Sequence, residues 1–220
     1  MADGRVERGN QTRRTVLDRT MRTASVDGLE GLSLGKIATE VGLSKSGVFA
    51  LFGSKEDLQL ATVRAAVSVF VDLVVRPVRE DPAGIAKVWR LCEHWLDYSG
   101  SRVFPGGCFF YAVSAEFDAR PGPVRDEIAT ADADWTRYVE GVLDEARLAG
   151  GFRDGFGAQD VPQLAFEIIA LMEMANSRAV LREDPVAYER AGRGILDRLR
   201  AAAAAPAELP ERPTAFSSPV

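Results

Sequence analysis

The 220 residues predict an all-α protein, and three observations carry that expectation. Apolar residues recur at three- and four-residue spacing in segment after segment, the period of one helical face. Serines stand just ahead of several of these segments, where a hydroxyl can cap a helix. Clusters of glycine and proline separate them, as at 100–107, 121–123 and 150–157, and these punctuate helices. The count comes to about nine helices by this periodicity.

The first segment, Thr12 to Val26, places Val16, Leu17, Met21 and Ala24 on one side. It runs into GLEGLS, with Ser33 as the cap of the next helix. From Leu34 the chain reads LGKIATEVGLSKSGVFALFG. Ile37 and Val41 lie four residues apart on one face, and Ala38 is small enough for two helices to cross closely. Gly42 permits the positive φ that ends a helix in a tight turn. Ser44 then caps a second short helix, running from Lys45 to about Leu51. Two short helices joined by a Gly-containing turn form a helix-turn-helix, which lays its second helix in the major groove of duplex DNA. Ser54 caps the next segment, with Asp57 three residues on in a near capping box.

Ser54 to Arg79 reads as one long helix, ending near Pro77. Pro82 opens a helix carrying Ile85, Val88, Trp89, Cys92, Trp95 and Leu96. Cys108 to Phe117 is apolar almost all round and therefore buried on several sides. Val124, Ile128, Ala131, Trp135, Tyr138, Val142 and Ala146 mark another long helix. Ala158 to Leu181 and Pro185 to Ala204 are the last two. The proline-bearing remainder, 205–220, is expected to be disordered.

The run GLEGLSLGKIATEVGLSKSGVFALFGSKEDLQLAT resembles the N-terminal domain of the TetR family of bacterial transcriptional regulators over roughly residues 10 to 70. The G-L-S turn, the G-L-S-K-S-G turn and the F-x-S-K-E-x-L helix opening occur in register. The resemblance implies a homodimer whose small N-terminal domains, here 1–55, bind double-stranded operator DNA. It also implies a larger C-terminal domain, here 56–204, which dimerises and binds a small-molecule effector that releases the DNA. A repressor in the cytoplasm, with no membrane partner, is the expectation.

Within this frame the residues expected to meet DNA are Ser33, Lys36, Ser44, Lys45, Ser46, Gly47, Phe49 and Lys55. Lys45 and Ser46 reach phosphate or base edges from the front of the second helix, and Gly47 lets the backbone come close. Ser33 and Ser44 stand at helix starts, whose N–H groups and dipole attract phosphate. Lys55 matches a family lysine that clamps a phosphate. Three positions depart from the family: Phe49 replaces a usual Tyr, Leu51 a frequent His, and Gly53 a frequent Lys. More of the grip then falls to Lys45, Lys55 and a basic arm of Arg5, Arg8, Arg13 and Arg14.

Charge is distributed to match. Residues 1–55 hold nine Lys+Arg against six Asp+Glu, and the remainder eighteen against twenty-six, for a net charge of −5. An acidic DNA-binding protein has to concentrate its positive charge, and this one does so modestly.

Aromatic residues crowd between 89 and 135. We expect an apolar ligand cavity lined by Trp89, Cys92, Phe109, Val113, Phe117, Trp135, Ile169 and Met172, with His94, Glu116 and Glu173 as polar groups. Dimerisation is assigned to Leu164, Ile168, Leu171 and Ala175 together with Ala187, Ala191, Gly194 and Ile195. Phe166, Ile169 and Met172 project elsewhere, so the first of these helices is apolar on two faces and needs two partners. Two-fold symmetry predicts a palindromic operator with half-sites about one helical turn, ~10 bp, apart or more.

Other classes have less support. The one histidine, His94, has no second His or Cys at metal-ligand spacing, and no cofactor is implied. Neither a G-x-S-x-G elbow nor a phosphate loop with Lys-Ser/Thr is present, so a helical enzyme has no recognisable site. Two cysteines make no disulfide framework, which suits a reducing compartment. A redox sensor using Cys92 and Cys108 remains an alternative on the same fold. No uninterrupted apolar run reaches the ~18 residues of a membrane span, and the N-terminus lacks the apolar core of a signal peptide.

Overall fold

A computed structural model describes residues 2–213, with side chains from residue 7 onward. Arg5 of the basic arm and the end of the tail, 214–220, therefore lie outside the described side chains. Nine α-helices make up the described residues: α1 Ala2–Asp27, α2 Leu34–Glu40, α3 Lys45–Phe52, α4 Lys55–Phe70, α5 Ile85–Gly100, α6 Phe109–Phe117, α7 Pro123–Leu148, α8 Val161–Leu181 and α9 Ala187–Ala202. The chain divides into two compact units, residues 1–69 with 104–130 and residues 70–103 with 131–220.

The first unit packs α2 against α3 and α1 against α2 and α6. Val16, Ala24, Leu29, Leu32, Ile37, Ala38, Val48 and Leu58 are buried there. Of the positions that the three- and four-residue spacing selects, Val16, Met21, Ala24 and Ile37 are buried, whereas Leu17 and Val41 are half-buried. Ser33 caps α2 by accepting from the N–H of Lys36, and Ser44 caps α3 by accepting from the N–H of Gly47. At the other end of α2, Gly42 takes φ 69° and the N–H of Leu43 closes back onto the Ala38 carbonyl at 2.8 Å. A residue with a Cβ is strained at that φ, which is why glycine stands there. α1 starts ten residues earlier than the sequence suggests, since helical backbone reaches back to Ala2.

The second unit is built around the α8–α9 pair, with α5 packed on both. The expected single helix from Ser54 to Arg79 is interrupted: α4 ends at Phe70, a π-helical turn covers Val71–Val75, and a 3-10 turn covers Arg76–Val78. Pro77 has no N–H to give to the Leu73 carbonyl four residues back, and its ring crowds that carbonyl. The α-type ladder cannot continue there. By length and average composition the stretch Lys55–Val78 could cross a membrane, although polar residues break every long apolar run. Half of its apolar window is buried, as in a core helix.

The tail is ordered further than its composition implies. Phe152 and Ala203 form an antiparallel bridge, Pro206–Glu208 makes a 3-10 turn, and Leu209 is buried. Bonds from the Arg153 N–H to the Ala202 carbonyl and from the Ala204 N–H to the Gly151 carbonyl tie the end of α9 to the glycine-rich loop at 150–157, just ahead of the tail. Against the expectation of disorder, the described tail residues 205–213 carry a 3-10 turn and a buried leucine.

Candidate nucleic-acid interface and effector-lining residues

The start of α3 is presented outward. Ser44, Lys45, Ser46 and Phe49 are exposed, and Gly47 is half-buried. Val48 and Phe52 face the interior of the unit. Ser44 Oγ accepts from the Gly47 N–H at 3.0 Å and lies 3.1 Å from Ser46 Oγ. A Cβ on Gly47 would stand 3.2 Å from Ser44 Oγ, so glycine leaves the cap room to form. Lys45 makes no ion pair among the described residues. Phe49, 55% exposed, is a large ring left in water on the same face. The arrangement can offer a cation, hydroxyls and a helix N-terminus to a phosphate, and an apolar edge to a base.

The other predicted DNA contacts are partly engaged within the unit. Lys36, near the start of α2, pairs with Asp27 at 3.2 Å. Lys55 Nζ donates to the Glu30 carbonyl at 2.7 Å and to Glu30 Oε2 at 3.0 Å. This pairing, with Gln59 bonding the same carboxylate, holds the Glu30 carboxyl below its usual range. Arg13 serves the fold more than an arm: its guanidinium donates to the Leu51 carbonyl at 2.8 Å and lies 4.4 Å over the Phe52 ring. It closes the end of α3. Arg14 stays exposed.

Glu116 departs from its expected place. The sequence places it as a polar group of a ligand cavity, yet its carboxylate accepts the N–H groups of Leu29 at 2.7 Å and Glu30 at 2.8 Å. Sequence reasoning missed this partnership. The residues lie more than eighty positions apart, and no local pattern reports on such a contact.

The eight residues assigned to a cavity divide between the units. Phe109, Val113 and Phe117 are buried on α6 in the first unit, where Phe109 packs against Phe104 and Phe110 with ring centroids 5.8 and 5.4 Å away. Trp89, Cys92, Trp135, Ile169 and Met172 belong to the second. There Phe70 makes edge contacts with Trp135 at 5.0 Å and Tyr98 at 5.3 Å, and Trp135 stacks on Tyr138. Trp89 is buried, and its indole N–H has no acceptor among the described residues. A buried donor left unbonded is costly. Burial, with Asp132 adding a like charge, pushes the Glu173 carboxyl up. His94 is half-buried on α5.

Cys92 and Cys108 are both buried. Burial pushes the Cys92 thiol far above its ordinary value, and the thiolate is the reactive form. This environment disfavours the thiolate that a redox sensor at Cys92 needs.

The dimerisation residues also need correction. Leu164, Ile168, Ala175, Ala187, Ala191 and Ile195 are buried within the chain, and Gly194 sits 3.4 Å from Leu171 by its would-be Cβ. These residues form the intramolecular seam between α8 and α9. Phe166 at 69%, Met174 at 53% and Leu181 at 80% exposure form the opposite stripe of α8. Of the second face expected from the sequence, Phe166 is exposed, Ile169 is half-buried and Met172 is buried.

Comparison with known proteins agrees with this architecture. Residues 16–62 match the family model described as bacterial regulatory proteins, tetR family, and residues 84–195 match the tetracyclin repressor-like C-terminal domain. No curated protein matches the chain. Among solved structures, a TetR transcriptional regulator from Chloroflexus aurantiacus superposes with a TM-score of 0.77 at 23% identity, over 86% of this chain and 94% of that one. A putative transcriptional regulator from Saccharomonospora viridis, in complex with choline, has a TM-score of 0.72 at 22% identity, over 86% and 95%. AibR, in complex with isovaleryl coenzyme A and operator DNA, has a TM-score of 0.65 at 17% identity, over 84% and 95%. With both halves of the chain matched, and the C-terminal match alone covering half of it, this protein belongs to the TetR family of bacterial transcriptional regulators.

Proposed function

We propose that the protein is a cytoplasmic, homodimeric repressor that leaves a palindromic operator when a small apolar or aromatic molecule binds its second unit. The observation that carries the DNA half is the exposed face of α3, with Lys45 in no ion pair among the described residues and Ser44 and Ser46 beside it. Lys45 meets a phosphate or a guanine edge, Phe49 packs on a thymine methyl or the sugar edge, and Ser33 and Ser44 offer helix starts to phosphates. Lys36 and Lys55 join them once DNA competes for their carboxylate partners. The operator complex of AibR supports the reading by fold analogy.

The effector half rests on Trp89, Cys92, Trp135, Ile169 and Met172, with the unbonded indole N–H of Trp89 as the group that orients a ligand. Ligand complexes of two structural neighbours, with choline and with isovaleryl coenzyme A, support a ligand-responsive second unit. The dimer half rests on the outward stripe of α8, Phe166, Met174 and Leu181, which one chain alone leaves in water.

The test is a duplex selected from a random library by the full-length protein, then measured by fluorescence anisotropy. Wild type is expected to enrich a palindrome and to bind it with a steep salt dependence. Failure to enrich any sequence, with binding that depends on salt but not on sequence, refutes the operator-specific reading. A panel of small aromatic and cationic molecules then tests release, and Trp89→Phe separates loss of the indole donor from loss of the ring.

A further inference from the structure

The turn between α1 and α2 is bonded from two sides by residues far away in the chain. On its N–H side, Glu116 on α6 accepts from Leu29 and Glu30 with one oxygen each, at 2.7 and 2.8 Å. On its carbonyl side, Gln59 Nε2 on α4 donates to the Leu29 carbonyl at 2.9 Å, and Lys55 Nζ donates to the Glu30 carbonyl at 2.7 Å. Both peptide groups are thus fully occupied, one face by a carboxylate and the other by α4. The turn is shaped for the carboxylate: Gly28 has φ 75°, and a Cβ there would lie 2.6 Å from Glu116 Oε2. A second anchor sits one turn back, where the Gly106 N–H donates to Ser25 Oγ at 3.2 Å. A Cβ on Gly106 would collide with the Ser25 carbonyl at 1.8 Å.

We propose that Glu116 is a positioning residue for DNA binding: by holding the Leu29 and Glu30 peptides it sets where Glu30 holds the Lys55 ammonium. The inference rests on the reading of Lys55 as a phosphate contact. An ammonium has three N–H donors. Glu30 takes two of them, through its carbonyl and Oε2, and the third remains for a phosphate oxygen. Charge-assisted N–H bonds to a carboxylate are short and directional, so a displaced Glu116 frees the turn to shift, and Glu30 and Lys55 shift with it. The same turn leads directly into Ser33, the cap of α2. The segment carrying Glu116 therefore acts on the DNA face without touching DNA.

The test uses the full-length protein and the duplex that wild type selects from a random library. Glu116→Ala is expected to weaken binding about tenfold and to lower the salt slope by about one phosphate per subunit. It should also speed hydrogen exchange at the Leu29 and Glu30 amides. Lys55→Ala should give a similar loss, and the double variant should be no weaker than Lys55→Ala alone, because the two act through one contact. Glu116→Gln keeps the size of the side chain and removes its charge and one acceptor, so it gives a smaller change in the same direction. If Glu116→Ala does not fold, as judged by circular dichroism, Glu116→Gln decides alone. The proposal is overturned if the folded Glu116 variants keep wild-type affinity and salt slope, or if their losses add to that of Lys55→Ala. Wild-type binding that Lys55→Ala leaves unchanged refutes the phosphate contact instead, and the Glu116 proposal falls with it.

Discussion

The face of α3 around Lys45 and the outer stripe of α8 around Phe166 are both helix surfaces left in water, and they are left there for different reasons. On α3 the exposed groups are a lysine, two serines and one ring, while Val48 and Phe52 already hold the helix down. Such a surface costs little to hydrate and presents a charge to a polyanion. On α8 the exposed large apolar groups are Phe166, Met174, Val180 and Leu181, with Gln163, Glu173 and Arg178 exposed among them, beside an inner stripe that α9 already covers. Water is a poor solvent for that surface, and apolar burial is worth roughly 25 cal/mol per Å². The first surface suits a charged, reversible partner. The second is the one that the proposed dimer would cover. The difference teaches that exposure alone does not name a partner, whereas the chemistry of what is exposed does.

The sharpest way to break this comparison is to cut both stripes of α8. Ile168→Ala, at a fully buried position, is expected to cost about 2–5 kcal/mol of unfolding free energy, read by urea denaturation at fixed protein concentration. Phe166→Ala should leave the fold of a single chain within about 0.5 kcal/mol and shift sedimentation toward monomer. If Phe166→Ala is the more destabilising of the two, the inner and outer stripes have been exchanged.

Next in size is Lys45→Ala. Operator binding is expected to fall by about 1–3 kcal/mol if Lys45 reads a base edge, with relaxed preference at one position of each half-site. If it meets only a phosphate, all sequences weaken alike and the salt slope falls by about one per subunit. An unchanged affinity removes α3 from the interface.

A smaller effect comes from acid. Lys55, then Gln59, holds the Glu30 carboxyl below its usual range in the folded chain, and Arg64 does the same for Glu127 through a two-pronged contact of 2.8–2.9 Å. Because the folded values are depressed, this stabilisation is complete above the ordinary carboxylate value of ~4.3. It is lost as pH falls below that value through the folded one. These pairs are largely exposed, so each contributes a fraction of a kcal/mol. Melting temperatures recorded from pH 6 to pH 3 should fall less steeply for Glu30→Gln with Glu127→Gln than for wild type. Equal slopes sink the assignment.

The smallest expected change is at the cysteines. Peroxide treatment of the folded protein should leave Cys92 unmodified by mass spectrometry, since burial raises its thiol and withholds the thiolate. A disulfide between Cys92 and Cys108 that ended operator binding would restore the redox reading.

Much of this molecule is local and therefore legible in one dimension. Helix periods, the Ser33 and Ser44 caps and the Gly42 turn depend on residues within a few positions of each other, so short-range sterics and hydrogen bonding specify them. The outward set Ser44, Lys45, Ser46 and Phe49 follows from the same reasoning, because Val48 must point the other way. Tertiary structure alone decided which α8 stripe α9 would cover and that Glu116 would serve the α1–α2 turn. It also paired Lys55 with Glu30 and drew the tail at Leu209 into a core. Each of these contacts joins groups separated by tens of residues, and several surfaces of equal hydrophobicity or charge compete for the same partner. Only the closure of the chain chooses among them.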